Sequence, residues 1–218
     1  MGAMFRLFSK HDVSPTGNER FRIPSWLQAP EGFEPLRLRP MQQEDWDEWS
    51  EVRKRNDEWL RPWDSGDPLH GPGISFNEWV SRQRKAEQEG QGVILLMIWH
   101  GEIVGQISLG AISYGSMRVG TIGYWVDRLH AGHGLAPLAL AMLADWALLD
   151  VTGPLLHRVE VGILPENARS RRVVEKLGMT YEGVRRNYMY VDGAWRDHEM
   201  YTLLSTDVCG HVTDRLRR

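Results

Sequence analysis

The chain has 218 residues, of which 42% are hydrophobic and 25% are charged, a composition typical of a globular protein with one well-filled core. Its formal net charge of -3 gives no electrostatic reason to expect nucleic acid or an anionic membrane as the main partner. The single cysteine, Cys209, excludes an intramolecular disulfide and any multi-cysteine metal site. The histidines show no HExxH or comparable spacing, so we expect no metal site.

Two end segments flank the predicted domain. Residues 1–32 lack hydrophobic periodicity, so we predict an irregular N-terminal arm. Residues 33–204 form the domain itself, and residues 205–218 form a basic C-terminal tail that we expect to be frayed. The first 30 residues lack the apolar core of a secretory signal, which indicates a cytoplasmic protein. The apolar helix that begins at Leu135 is too short to span a bilayer, so we expect no membrane partner.

The first part of the domain predicts a strand followed by two helices. Residues 35–40 alternate apolar and basic side chains, as a half-buried strand does. Residues 45–56 carry apolar side chains at helical spacing. Ser75 and Glu78 form a capping box that begins the second helix, which we expect to end at Gly90.

The middle of the chain predicts an antiparallel meander followed by a helix and a parallel strand. The strand-like runs are 93–99, 103–112 and 118–127, and short turns join them. An apolar helix then covers 135–149. The next strand, 157–163, can lie parallel to the last strand of the meander because a whole helix separates them.

The last part of the domain predicts a helix and a hairpin. The helix begins near Asn167 and ends before Gly178, which has the left-handed cap position. Strands over 179–191 and 195–204 are joined at Asp192-Gly193, a strong hairpin signal. The order of elements therefore predicts an α/β fold, with a mixed sheet and helices on its faces.

A glycine turn lies between the meander and the apolar helix. Gly132 and Gly134 let the backbone approach a ligand closely, and the following helix start offers unpaired amides and a positive dipole end. These features suit a phosphate, although two glycines also make plain turns. A Rossmann fingerprint is excluded because Pro137 stands at its last glycine, and no Gly-Lys-Ser/Thr of a Walker loop follows.

Three segments of the chain resemble the GCN5-related N-acetyltransferases (GNAT). In that family a Gln/Arg-x-x-Gly-x-Gly/Ala turn binds the pyrophosphate of acetyl-CoA; Gly134 and Ala136 match it, whereas Ala131 stands where the family has glutamine or arginine. Residues 167–179 are similar to the family segment N-x-x-S-x-x-(apolar)-x-E-K-x-G-F. The hairpin over 192–201 resembles the RimJ/RimL branch, which acetylates N-termini of ribosomal proteins.

The resemblance covers roughly residues 35–204 and implies both a fold and a reaction. The fold is a GNAT-like mixed, mostly antiparallel central sheet with helices on both faces, splayed between the fourth and fifth predicted strands. Acetyl-CoA is the cosubstrate, and its pantetheine arm fills the splay. The amine attacks the thioester directly, without a covalent enzyme intermediate, which suits a chain without a Ser-His-Asp set.

The same resemblance implies the residues of the site. The cofactor-binding residues are Tyr124, Trp125, Val126, Ala131, Gly132, His133, Gly134, Leu135, Ala136, Asn167, Ser170 and Arg172. A backbone N–H near Trp125 is expected to polarise the thioester carbonyl, and Asn167 to contact the acetyl region. Both are therefore candidate catalytic residues.

A general base is harder to assign. Thr121 stands where relatives often carry glutamate, so we predict a base that acts through water. Glu160 is the first candidate, with Asp197 and Glu199 as alternatives. An α-amine has a pKa of about 7.7 to 8.0, against about 10.4 for lysine, so an N-terminal substrate needs less help from a base.

Several candidates have a purely structural alternative. Asn167 can be only a helix N-cap, and Ser170 and Arg172 can be solvated helix residues. His130 and His133 can add positive charge near the diphosphate or be exposed loop histidines. The tryptophan-rich helices before residue 64 border the acceptor or fill a core.

The function predicted from these observations is acetyl transfer to the N-terminal α-amine of a protein or peptide, such as a ribosomal protein. One alternative is an acyltransferase for small amines, such as an antibiotic, a polyamine or an amino acid. The other is a CoA-binding interaction module without turnover. The oligomeric state stays open.

Overall fold

The computed structural model describes residues 21–69 and 74–217, which form an α/β fold around one eight-stranded sheet. Residues 1–20 of the predicted arm, 70–73 of a predicted loop and Arg218 of the predicted tail lie outside the described residues. The strands are β1 (Leu27–Gln28), β2 (Leu36–Pro40), β3 (Val93–Trp99), β4 (Glu102–Ser113), β5 (Val119–Val126), β6 (Arg158–Ile163), β7 (Thr180–Val191) and β8 (Ala194–Leu204).

The strands lie side by side in the order β1-β2-β3-β4-β5-β6-β8-β7. The β5–β6 pair is parallel, and the other neighbouring pairs are antiparallel. This arrangement confirms the predicted mixed, mostly antiparallel sheet. The predicted hairpin turn at Asp192-Gly193 joins β7 and β8, and both of its residues have positive φ, +47° and +81°.

The described residues form five α-helices. They are α1 (Trp46–Arg55), α2 (Asp57–Leu60), α3 (Phe76–Gln88), α4 (Leu135–Leu148) and α5 (Ala168–Lys176). Ser75 precedes α3, and its hydroxyl accepts a hydrogen bond from the Glu78 amide at 3.2 Å, so the predicted helix start is confirmed. Gly178 follows α5 with a φ of +60°, as the predicted cap position requires.

Two apolar cores lie on opposite faces of the sheet. The larger contains most of α4, together with Val174 of α5. The smaller is formed by Val52 of α1 and Val80 of α3 with buried strand residues such as Leu96. Helices therefore cover both faces, as predicted, and the nearly all-apolar α4 is a core helix.

The sheet opens between its two parallel strands. Residues 119–121 of β5 pair with 158–160 of β6, and within the described chain the pairing goes no further. Residues 122–126 consequently have a neighbouring strand only on the β4 side. We call the space beside them the gap. It is the predicted splay, since β5 and β6 are the fourth and fifth strands of the sequence-based assignment.

The end segments are more ordered than the sequence suggested. In the segment predicted to be an irregular arm, Leu27 pairs with Leu38, and the buried Phe21 ring lies edge-on to Trp146 at 5.3 Å. The expectation of a frayed C-terminal tail is wrong for Val212 and Thr213, which are buried in the 3-10 turn Val212–Leu216.

The physical reason for the ordered tail is the carboxylate of Asp145 on α4. It accepts hydrogen bonds from the Val212 and Thr213 amides at 2.6 and 3.2 Å. A carboxylate on an apolar helix needs such partners, and the basic end of the chain concealed the apolar residues that supply them. Arg215 adds a bond to the Leu177 carbonyl at 2.6 Å.

The described residues contain neither a candidate membrane span nor a candidate metal cluster. None of their helices has the length and apolar character needed to cross a membrane. Nor do three or more of their His, Cys, Asp or Glu side chains converge in a way that would hold a metal ion.

Candidate active site

The glycine turn begins α4 with a run of free backbone amides. Gly132 and Gly134 have φ values of +94° and +77°, which favour glycine, and a Cβ at either position would meet nothing within 4 Å. Within the described chain, the amides of residues 132–136 have no backbone acceptor, and Pro137 has no N–H to satisfy. Several amides at a helix start are therefore free to bind an anion such as a diphosphate.

A buried carboxylate fixes this turn. Asp127 follows β5, and its side chain, 1% exposed, accepts hydrogen bonds from Arg55 at 2.6 Å and Asn56 at 2.7 Å. His130 and the Leu129 amide contact it at 2.9 and 3.3 Å. Burial alone would raise the Asp127 pKa, but these hydrogen bonds outweigh it and lower the pKa to about 2. The turn therefore rests on a permanently charged anchor.

Asn56 ties the same anchor to α1. Its side chain is fully buried, with Nδ2 donating to the Val52 carbonyl at 2.8 Å and Oδ1 accepting from the Arg128 amide at 2.8 Å. Sequence reasoning missed Asp127 and Asn56 because the partners are 71 residues apart and no local pattern joins them. The end of α1 is thus part of the support for the turn.

Backbone direction along β5 decides which amides face the gap. The Asp127 amide donates to the Val104 carbonyl at 2.8 Å, on the β4 side. Because amides alternate in direction along a strand, the Trp125 amide also faces β4, whereas those of Tyr124 and Val126 face the gap. Of the three residues in the stretch where a carbonyl-polarising N–H is predicted, Tyr124 and Val126 therefore direct their amides into the gap, and Trp125 does not.

Side chains of the same strand alternate between the two faces. Tyr124 packs on the α4 core, and its hydroxyl donates to the Ser170 carbonyl at 3.5 Å. Burial raises the Tyr124 pKa to about 12, so this hydroxyl is neutral. Trp125 packs on the other core, with the Arg53 guanidinium 5.2 Å from its ring. Val126, like Tyr124, packs on the α4 core.

The remaining turn residues have distinct surroundings. Leu135 is buried and anchors the first turn of α4 in the core, while Ala136 is half-buried. Ala131 and His133 are exposed, and the His133 ring lies 5.2 Å from that of Trp99. The turn consequently presents backbone on its outer side and an apolar anchor on its inner side.

The start of α5 lies across the gap from this strand. The Asn167 side-chain oxygen accepts from the Ser170 amide at 3.1 Å, so Asn167 is an N-cap, as its structural alternative predicted. Arg172 is exposed one turn later. Arg169 stacks on the Trp59 ring at 4.1 Å, and the Trp59 indole donates to the Val126 carbonyl at 3.3 Å. Trp59 thereby joins α2, β5 and α5 beside the gap.

The predicted base, Glu160, is engaged in ion pairs. It lies at the last residue pair before the gap and is 7% exposed. Arg158 and Arg185 each contact its carboxylate at 2.8 Å. Both carboxylate oxygens are thus occupied by guanidinium groups, which disfavours the proton-acceptor role predicted for Glu160.

The two alternative bases also have partners. Asp197 is exposed and accepts from the Asn187 amide at 2.8 Å. Glu199 lies 3.6 Å from Arg171 and accepts from the Tyr201 hydroxyl at 3.1 Å. Tyr201 packs in the α4 core, and residues two apart on a strand share a face, so Glu199 lies on the α4 side. Neither carboxylate is placed beside Trp125.

The side of the gap opposite α4 carries a surface that we call the open face: Gly123, Trp125, Gly162, Tyr188 and His198. Gly123 is exposed, and a Cβ there would meet only the Ser108 hydroxyl, at 3.5 Å. A Cβ at Gly162 would lie 3.4 Å from Tyr188 and 3.6 Å from His198. Gly123 therefore leaves its side of the gap open, whereas the side chains of Tyr188 and His198 pack over Gly162.

Known proteins share these features. Residues 35–180 match the family model described as an acetyltransferase (GNAT) domain. The probable N-acetyltransferase YjcK of Bacillus subtilis is 31% identical over 139 residues, which are 64% of this chain and 74% of that protein. The [ribosomal protein uS5]-alanine N-acetyltransferase of Escherichia coli is 30% identical over 106 residues, 49% of this chain and 53% of that protein.

A solved structure extends the likeness over most of the chain. Mycobacterium smegmatis RimJ in complex with CoA-disulfide has a TM-score of 0.75 and 30% sequence identity, and the alignment covers 90% of each chain. That structure is a complex with CoA-disulfide, so a protein of the same fold binds CoA.

Proposed function

Because the chain belongs to the acetyltransferase (GNAT) family and is an acetyl-CoA-dependent N-acetyltransferase, we propose that its acceptor is the N-terminal α-amine of a protein, such as a ribosomal protein. The likeness to a uS5-alanine N-acetyltransferase and to a RimJ structure, each at 30% identity, supports this choice. Such an acceptor would place the reaction in the cytoplasm.

The observation that carries the proposal is the pairing of carboxylates around the open face. Arg158 and Arg185 hold Glu160, and Arg158 also binds Glu182. A polyamine carries several positive charges and is best recognised by free carboxylates. Carboxylates that are already neutralised by arginine favour an acceptor with one amine, such as a polypeptide N-terminus.

The shape of the open face supports the same acceptor. Gly123 brings no side chain over the gap, so a polypeptide end has room to approach along that strand. An α-amine with a pKa of about 7.7 to 8.0 is partly neutral at physiological pH and needs only modest help from a base.

The chain's own groups then divide the work. When bound, acetyl-CoA supplies the acetyl group as an activated thioester. We propose that the amides of 132–136 hold its diphosphate and that Ser170 and Arg172 contact it from α5. The amides of Tyr124 and Val126 face the gap, where they can polarise the thioester carbonyl. Asn167, whose oxygen caps α5, has only its NH₂ group to offer the acetyl region.

The test is an acceptor panel measured by thiol release from acetyl-CoA. The panel contains peptides that begin with alanine, serine or methionine, the same peptides with blocked N-termini and one internal lysine, and spermidine. We expect the free N-termini to give a kcat/KM at least about tenfold above the other acceptors, with mass spectrometry placing the acetyl group on the α-nitrogen.

Two outcomes would contradict the proposal. Faster turnover of spermidine than of any free N-terminus would favour the small-amine alternative. Binding of acetyl-CoA without thiol release on any acceptor would favour a binding module. The blocked peptides are the matched control, since they differ from the free ones at one nitrogen.

A further inference from the structure

His198 on β8 is a buried histidine that belongs to the open face. Its ring is 4% exposed and lies edge-on to the Tyr188 ring at 5.7 Å. Its Cδ2 would be 3.6 Å from a Cβ at Gly162, on the strand that borders the gap. The imidazole therefore lies beside Gly162, on the strand next to the one that borders the gap.

The hydrogen bonds of His198 fix its tautomer. Nδ1 lies 3.0 Å from the Arg196 carbonyl, which can only accept, so Nδ1 carries the proton and Nε2 has the free lone pair. Among the buried side-chain nitrogen and oxygen atoms of the described residues, only Trp146 Nε1 lacks a partner. Nε2 of His198 makes no hydrogen bond but is not one of these buried atoms. It must therefore contact solvent.

The surroundings keep this imidazole neutral. Burial is the main cause that lowers the His198 pKa below its usual 6.5; the hydrogen bond to the Arg196 carbonyl opposes this shift, and the charge of the Arg196 guanidinium adds to it. The charged or titratable groups on the elements around it are Arg196, Asp197, Glu166, Arg185 and Tyr188. Glu166 is bound to Arg196, and Arg185 to Glu160. A neutral histidine with a fixed lone pair is a proton acceptor near neutral pH.

We propose that Nε2 of His198 is the general base that takes the proton from the acceptor amine, directly or through one water. This inference rests on the proposed function. In the balanced step the C–N bond forms, the C–S bond of the thioester breaks, and one amine proton moves to Nε2. That proton then passes to the sulfur, so the products are the amide and CoA thiol, and His198 is again neutral.

The variant that tests this role is His198→Asn. The asparagine NH₂ occupies about the position of Nδ1 and can still donate to the Arg196 carbonyl, but the lone pair of Nε2 is lost. His157→Asn is the matched control, since it makes the same change at an exposed residue beside the opposite end of β6. Both are measured with an alanine-initiated peptide and with spermidine.

We expect His198→Asn to lower kcat about 100-fold, while the acetyl-CoA Kd and the acceptor KM stay within about threefold. Wild-type kcat should fall as the pH drops below the pKa of His198. The kcat of the variant should not show this fall, which we call the acid limb of the pH–rate profile. The His157→Asn control should keep both the rate and the limb. A threefold or smaller loss of kcat, or an acid limb retained in His198→Asn, would overturn the proposal.

Two further measurements keep the test decisive. If wild type acetylates spermidine but no peptide, the proposed acceptor is wrong, and the two asparagine variants are judged on spermidine. Nitrogen-15 NMR of the wild-type chain reads the tautomer without turnover. A proton on Nδ1 and a titration midpoint below 6.5 are expected; a proton on Nε2 at neutral pH would exclude the base role, whatever the acceptor.

Discussion

The two sides of the gap use different parts of the polypeptide. At the glycine turn the chain offers backbone amides, and the side chains that matter, Asp127 and Asn56, are buried behind them. On the open face Gly123 brings no side chain over the gap, and the functional groups of His198 and Tyr188 pack over Gly162. At the glycine turn, backbone amides supported by buried side chains form the site. On the open face, side chains around a glycine form it.

This difference explains how each side tolerates change. A backbone site can lose a consensus residue, as at Ala131, provided the conformation and the supports are kept. A side-chain site changes its chemistry with a single substitution. Substitutions that remove Asp127 or Asn56, or that disturb the glycine dihedral angles, should therefore impair the glycine turn. On the open face, the loss of a single polar atom should be enough to change activity.

The largest expected effect comes from removing the support of the turn. Asp127→Ala removes the acceptor of Arg55 and one of the two acceptors of the buried Asn56, and we expect a loss of about 2–3 kcal/mol in the free energy of unfolding, measured by urea denaturation. The control is Asp64→Ala, which removes an ion pair with Arg53. Because the Asp64 side chain is 42% exposed, this variant should lose less than about 1 kcal/mol of unfolding free energy. Equal losses in the two variants would refute the anchoring role.

The next effect tests the dihedral requirement. Gly134→Val forces a β-branched residue to a φ of +77°, where open space gives no relief, and the strain should move the free amides. We expect the acetyl-CoA Kd, measured by calorimetry, to rise at least about tenfold. Gly115→Val is the control, with a φ of +68°, equally open space and a place in the turn between β4 and β5. Unchanged affinity in a folded Gly134→Val would count against the diphosphate site.

A smaller effect concerns acid stability. The Asp127 pKa is lowered from 3.8 to about 2, so its contribution is complete above pH 4 and is lost as the pH falls toward 2. The loss should be about 2 kcal/mol of unfolding free energy. Wild type should therefore lose about this much more than Asp127→Asn between pH 5 and pH 2. Parallel stability curves would show that the charge of Asp127 is not what stabilises the turn.

The smallest effect on turnover is expected at Glu160. Because Glu160 is held by two arginines, Glu160→Gln should leave kcat within about threefold of wild type and lower the unfolding free energy by about 1 kcal/mol. A kcat loss comparable to that of His198→Asn would return the base role to Glu160. Steady-state kinetics of the two variants at one pH decide between them.

Much of the fold could be read from local patterns. Period-two alternation predicted β2, strand-like runs joined by short turns predicted the meander, the Asp192-Gly193 pair predicted the hairpin, and the apolar run predicted α4. The splay followed from the family resemblance rather than from any pattern. The short β1 escaped prediction because two residues carry no periodicity, and only pairing with Leu38 defines it.

Less of the candidate site was accessible from the sequence. The position of the glycine turn depends on local residues and was predictable, but the contact of Asn56 with Asp127 forms only when α1 packs beside β5. The direction of the Trp125 amide depends on strand register, which a sequence alone leaves open by one residue. His198 lies in the hairpin that resembles the RimJ/RimL branch, but the sequence defines neither its tautomer nor its place beside Gly162.

The three-pair contact between β5 and β6 gives the sheet a pair of internal edges. An open sheet ordinarily exposes unpaired backbone groups only at its outer strands, whereas here the amides of Tyr124 and Val126 lack a neighbouring strand at its centre. In hydrogen exchange these two amides should lose their deuterium label quickly in the free protein and slowly once acetyl-CoA is bound. The intervening Trp125 amide should stay protected throughout, so the strand should show alternating protection.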